Sequence, residues 1–285
     1  MNSELLDDCT LVLLGLAVVS LVTNILLAWV VVSLRKRNCE VRLSLVLAVV
    51  DMALAVLAMI SFVTQKVDPS RLPTMCKIKG PLDFVLIFAS MLLVATIGME
   101  RSSVVVSKKT SFGVWAGLTF LALMFLTAVM AGVVSGEFTV SASGLDCTPD
   151  ATASKLSVFV LFLLGSSLLA LLGVTLYSYF GILVHIGEWD FFEAKPISNF
   201  PQPPRTTPVI IRITAIAVVY LLLLGPCSIL IISEALQLSK ESQSTSLFIS
   251  FILATISIAN PCLILFAHTT IFYALKQKFN HLVKA

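Results

Sequence analysis

Charge is what this sequence has least of. Only 12% of its 285 residues are Asp, Glu, Lys or Arg, with three His besides. Soluble domains carry about 25% charged residues, so an ordinary water-soluble fold is excluded. Six Cys are too few for a disulfide scaffold. No Cys-x-x-Cys pair and no His cluster occurs, so no metal-ligand set of the usual kind is indicated. No His-Glu-x-x-His occurs either, and no Asn-x-Ser/Thr marks an outer face by glycosylation. A net charge of +3 is modest, and its distribution, given below, follows membrane topology; nucleic acid is therefore not an expected partner.

Apolar residues are what is there: 58% of the chain, with a mean hydropathy of +1.01. A helix needs about 20 apolar residues to cross about 30 Å of hydrocarbon. Seven runs meet that requirement, roughly 11–34, 43–64, 79–104, 112–134, 155–184, 209–235 and 247–270. The plain alternative is six or eight spans, with the long fifth run miscounted. Short links with turn formers join the runs, and Pro196, Pro201, Pro203, Pro204 and Pro208 crowd the link between the fifth and sixth. No repeat and no second domain is apparent, so residues 1–285 read as one domain.

Lys and Arg near helix ends orient the bundle. With the N-terminus outside, 13 of the 19 basic residues fall on the cytoplasmic side. The N-terminus has no basic n-region and no cleavage pattern, so the first run is expected to be an uncleaved anchor. The expectation is an all-α membrane protein: a seven-helix bundle, N-terminus outside, C-terminus inside. The tail 271–285 reads as a short amphipathic cytoplasmic helix on the bilayer, with Phe272, Leu275, Phe279 and Leu282 toward lipid.

Ionisable groups at membrane depth are costly and are functional candidates by default. Asp51 lies in mid-run 2. Asn24, Ser90, Ser257 and Asn260 are placed to converge on it. Such a cluster suits a small cation such as Na⁺; the bland alternative is a hydrogen-bond knot that only fixes packing. In run 3, Cys76, Asp83, Ser90 and Arg101 are spaced 7, 7 and 11, so each step returns within about 20° of one direction. That stripe faces the bundle axis. Asp83 lies about 10 Å below Cys76, the depth of a ligand pocket open to the outside. Its carboxylate either holds a ligand cation, or snorkels to the outer interface or pairs with Lys77 or Lys79. Glu100 and Arg101 close the inner end of run 3, as a headgroup marker or as a charge lock that admits a cytoplasmic partner. Pro226 and Pro261 interrupt the backbone bonding of runs 6 and 7. Cys76 and Cys147 both lie outside, where disulfides persist; a bridge between them would staple the loop after run 4 over the pocket mouth.

The chain resembles the class A (rhodopsin-like) G-protein-coupled receptors along nearly its whole length. The resemblance rests on Asn24, Leu47-Ala48-Val49-Val50-Asp51, Cys76 and Arg101 at a separation of 25, Trp115, Cys147, Pro226 and Asn260-Pro261. It also shows departures. The acid-Arg-Tyr motif is Glu100-Arg101-Ser102. Leu224 stands for the helix 6 Trp and Ile264 for the helix 7 Tyr. Tyr177 or Tyr179 serves as the helix 5 tyrosine, and Tyr177 is taken here. The helix 6 acid that usually locks the arginine would fall near Thr206.

The resemblance implies a plasma-membrane receptor, not an enzyme. It implies a small extracellular ligand between helices 3, 5, 6 and 7, with Asp83, Phe84, Ile87, Phe251 and Ala254 around it. Asp83 falls where amine receptors keep their acid, which suggests a cationic amine. Phe251 and Ala254 replace the aromatic residues that usually close an amine cage. The retinal lysine of opsins would fall at Ala254, so no retinal Schiff base and no ordinary opsin is expected. A heterotrimeric G protein would engage the cytoplasmic end, with Glu100, Arg101, Tyr177, Tyr220, Pro226 and Pro261 as switch positions. Na⁺ at Asp51 would be an allosteric ion. The rival class is a transporter or channel without G-protein coupling, against which stand the lack of an inverted repeat and the shortage of midplane charge.

Overall fold

The computed structural model describes residues 3–34, 39–106, 112–136, 138–141, 147–149, 154–193, 207–236, 242–267, 271 and 275–276. In hydrocarbon every backbone N–H and C=O must be satisfied within the chain, and a helix does this segment by segment. The apolar runs accordingly form α1 (Ser3–Ser33), α2 (Cys39–Val67), α3 (Leu72–Val106), α4 (Phe112–Ser135), α5 (Lys155–Glu193), α6 (Thr207–Ala235) and α7 (Gln243–Ala267). Six of these are long and apolar enough to span a bilayer by their described residues, and the described apolar part of α4, Leu121–Val133, supplies the seventh.

Several helices outrun the predicted spans. The 35 residues of α3 reach about 52 Å at 1.5 Å per residue, well beyond the hydrocarbon. Hydropathy registers only the buried stretch, so the predicted start at 79 falls seven residues late. Pro81 sits inside α3, and the helix runs on through it. Likewise α5 continues past 184 to Glu193. Of the expected tail helix, only Ile271, Leu275 and Lys276 are described; Ile271 is fully buried in the core, Leu275 packs against it and Lys276 is exposed. The rest of the tail, like most of the link between α5 and α6, lies outside the described residues.

α3 is central. It packs against α2, α4 and α5, while α6 packs against α5 and α7, and α1 against α2 and α7. Phe88 of α3 stacks on Phe125 of α4 with ring centroids 4.3 Å apart. Hydroxyls that cannot reach water bond back one turn, as Thr175 Oγ1 does to the Leu171 carbonyl and Ser228 Oγ to that of Leu224. Apolar side chains cover both faces of each helix. Leu13 and Leu27 are buried, whereas Leu11 and Val22 point outward, toward lipid.

Two short strands, β1 (Phe138–Val140) and β2 (Cys147–Pro149), pair antiparallel with Val140 opposite Cys147. The sequence reading contained no strand. Gly136, at φ 71°, ends α4 in the left-handed conformation that glycine adopts without strain and turns the chain into β1. Cys147 of β2 is bonded to Cys76 of α3, with Cα atoms 5.1 Å apart. Phe138 of β1 packs edge-on to Phe84 at 5.5 Å. A Cβ on Gly80 would stand 2.6 Å from the Phe138 ring, so the hairpin rests on α3 where α3 has no side chain. The bridge that the sequence suggested therefore fastens a structured cap over the outer end of the bundle.

Candidate functional site

Under this cap lies a cavity of about 140 Å³. Its walls come from α1, α2, α3, α5, α6, α7 and β2. Asp83, Phe84, Ile87 and Ala254 line it as the sequence reading placed them. Phe251 does not line it; its ring packs against the cluster of Leu13, Ala17, Phe62 and Leu247 beside α1 and α2. The Asp83 carboxylate is paired with Lys79 Nζ, one turn nearer the outside on α3. The sequence had left that pairing open beside a ligand role. Glu234 of α6 also lines the cavity and is buried. It was missed, although a solitary acid near the outer end of an apolar run is a signal in itself. Ser20 and Ser257 form the floor.

Beneath the floor, α2, α3 and α7 meet in a buried polar knot. Ser90 Oγ donates to Asp51 Oδ1 at 2.7 Å, and Asn260 Nδ2 donates to Asp51 Oδ2 at 2.8 Å. The same Asn260 amide reaches Ser90 Oγ at 3.1 Å. Tyr220 of α6 donates its hydroxyl to Asn260 Oδ1 at 2.9 Å. Asp51, Ser90 and Asn260 thus converge as expected. Asn24 and Ser257 pair with each other instead, Asn24 Nδ2 donating to the Ser257 backbone carbonyl at 3.0 Å. The Ser257 hydroxyl turns back to the Leu253 carbonyl at 3.4 Å. Asn24 Oδ1 is buried and has no hydrogen-bond partner among the described residues. Oxygen donors of the kind a small hard cation takes are present in Asp51 and Ser90. Asn260 presents N–H to the carboxylate and accepts at its oxygen from Tyr220, so it ties α7 to α2 and α6.

At the cytoplasmic end Arg101 Nε is paired with Glu40, in the first turn of α2. Both side chains are 14% exposed. The adjacent Glu100, open between a headgroup marker and a charge lock with Arg101, is half-buried near the end of the same helix, where successive side chains point about 100° apart. Tyr179 of α5 is buried beside the guanidinium. Tyr177 is 80% exposed on the outer side of α5, so its assignment as the switch tyrosine is corrected: residues two apart on a helix face nearly opposite ways, and only Tyr179 faces in. Arg101, Tyr179 and Tyr220 line a second small cavity of about 10 Å³, room for about one water. Arg101 Nη2 is buried there with no hydrogen-bond partner among the described residues. Pro226 and Pro261 lie inside α6 and α7, Pro226 one residue before the buried Cys227 and Pro261 directly after the knot residue Asn260.

A capped outer cavity, a mid-membrane carboxylate knot and a locked arginine at the inner end make one arrangement. Residues 23–263 match the model of the 7 transmembrane receptor (rhodopsin family). The chain belongs to this receptor family. Its fold is similar to that of squid rhodopsin, with a TM-score of 0.71 over 99% of this chain and 87% of that one, at 14% identity. No curated protein matches it in sequence. For a rhodopsin-family receptor the inner end is unusual. The position near Thr206 where the helix 6 acid would stand holds no Asp or Glu and lies outside the described residues, and the counter-charge of Arg101 comes from α2. The helix 7 tyrosine is replaced by Ile264, which lines the small inner cavity, and a hydroxyl reaches Asn260 from α6, through Tyr220.

Proposed function

We propose that this receptor sits in the plasma membrane, binds a small extracellular ligand in the capped cavity, and activates a heterotrimeric G protein through its cytoplasmic end. The observation that carries the reading is the pairing of two sites on one helix. α3 supplies Asp83 to the outer cavity and Arg101 to the inner lock, with the knot at Ser90 between them. A ligand shifts the bundle only by binding one state better than another. The movable parts are the Tyr220–Asn260 bond, which must yield for α6 to separate from α7, and the Glu40–Arg101 pair, which must yield for the arginine to move.

The position where opsins keep the retinal lysine is Ala254 in this chain, and on that ground we read the receptor as a non-retinal one. A cationic amine is the ligand suggested by the position of Asp83. Because that carboxylate is already matched by Lys79, an amine held by Asp83 alone would have to displace the lysine. At the knot, Asp51 and Ser90 would hold a Na⁺ ion that stabilises the resting arrangement.

The test is guanine-nucleotide exchange on a panel of heterotrimeric G proteins by the chain in lipid nanodiscs, with a pooled amine library and an Arg101→Ala control. Exchange that depends on Arg101 is the expected result. Exchange unaltered by Arg101→Ala, or none with any G protein in the panel, overturns the coupling assignment.

A further inference from the structure

The inner half of α6 has no acid with which to hold Arg101. No Asp or Glu occurs between Glu193 and Glu234, and the guanidinium of Arg101 is paired with Glu40. What the inner half of α6 does carry is a base. Arg212 stands on it, half-buried, with its guanidinium carbon 5.6 Å from the centroid of the Phe266 ring of α7. A cation within about 6 Å of an aromatic face is attracted by the ring quadrupole. From Gln243 to Ala267, α7 contains no charged residue, so it meets this cation with a ring face and not with a carboxylate. Tyr220 lies about 12 Å further out along α6 and Asn260 about 9 Å further out along α7, at 1.5 Å per residue. The two helices run in opposite directions, and the reach of the arginine side chain makes up the difference. The Arg212–Phe266 and Tyr220–Asn260 contacts are therefore two rungs of one seam. The outer rung is buried, while Phe266 is 44% exposed at the inner edge.

We infer that Arg212 and Phe266 form a cation–π clasp that closes the cytoplasmic end of α6 against α7 in the resting bundle. The clasp stands on the contact between two helices and not on G-protein coupling; only its effect on nucleotide exchange rests on the receptor reading. It differs from an ion pair in what can break it. The ring has no charge to titrate, and its hold on the guanidinium depends on the aromatic face, strongest for Trp and absent for Leu. Release of the inner rung leaves Tyr220–Asn260 as the hydrogen bond between the helices, so the inner turns of α6 come free before the buried knot is disturbed.

The test is amide hydrogen–deuterium exchange of segment 207–216 in the full chain in nanodiscs, which reads local opening of α6 and requires no G protein. Phe266→Leu and Arg212→Gln should each speed it about two- to fivefold, the worth of one such contact. The double variant should exchange no faster than either single one. Phe266→Trp should slow exchange where Arg212 is present and have no effect in the Arg212→Gln background, so the series can be read even if the Leu variant does not fold. Rates unchanged in all variants, additive effects in the double variant, or a Trp effect that persists without the arginine overturns the inference. Ligand-independent nucleotide exchange should rise in the same order, Trp below Phe below Leu. The deuterium order without nucleotide exchange by any variant sinks the coupling assignment and leaves the clasp standing. Nucleotide exchange by the parent that no substitution alters overturns the clasp as the closure and leaves the coupling assignment standing.

Discussion

Arg101 of α3 is ion-paired with Glu40 of α2. These helices are already packed together through the bundle, so the pair does not itself restrain α6. The lock in this receptor fixes the position of the arginine, and α6 is held separately, through Tyr220 and Asn260.

Glu40→Gln should leave a largely buried guanidinium without its counter-charge. Removing one partner of such a pair costs about 3 kcal/mol. The expected outcome is a lower melting temperature together with higher ligand-independent nucleotide exchange. The exchanged pair, Glu40→Arg with Arg101→Glu, should recover part of the stability and none of the exchange.

Tyr179→Phe and Tyr177→Phe test the inward-facing assignment. Tyr179 is buried beside Arg101, whereas Tyr177 is 80% exposed toward lipid. Loss of one hydroxyl at Tyr179 should cost about 1 kcal/mol and alter exchange; the change at Tyr177 should be silent in both. Equal effects would return the assignment to the sequence-based choice.

Gly80→Ala should unseat the cap. The new methyl meets the Phe138 ring at 2.6 Å, and overpacking of this kind costs about 1–3 kcal/mol. Faster reduction of the Cys76–Cys147 bridge by a mild thiol reductant is the measurement. An unchanged rate would mean that the hairpin does not depend on this contact.

Replacing choline with Na⁺ should raise the melting temperature of the parent, and Asp51→Ala should remove the increment. Tyr220→Phe should lower stability by about 1 kcal/mol while keeping the Na⁺ increment, because its hydroxyl meets Asn260 and not the carboxylate. A parent indifferent to the cation would leave Asp51, Ser90 and Asn260 as a packing knot.

Much of the architecture was legible because its causes are local. The cost of exposing peptide groups to lipid forces each long apolar run into a helix. The Lys and Arg bias orients the bundle, and the side on which Cys76 and Cys147 fall made their bridge plausible. The convergence of Asp51, Ser90 and Asn260 was also visible, since few polar residues occur at that depth and each requires partners.

Outside the polar stripe of α3, what the sequence could not convey is which face of each helix turns inward. In water a helix announces its buried face by polarity. In lipid both faces are apolar, as Leu11 and Leu13 show on α1, and the usual periodicity disappears. Tyr177 and Tyr179 were therefore indistinguishable, and Phe251 was placed at a cavity from which it turns away. Partners far apart in the chain were equally hidden. Glu40 reaches Arg101 across 61 positions and Tyr220 reaches Asn260 across 40. Seven apolar runs and the bias of Lys and Arg were enough to expect a seven-helix bundle with its N-terminus outside, because transfer from water to hydrocarbon is a property of each segment alone. Lys79 and Asp83, one turn apart on α3, were already a candidate pair, but the meeting of Glu40 with Arg101 came only from packing, because an ion pair between distant segments depends on distances that the docking of helices sets.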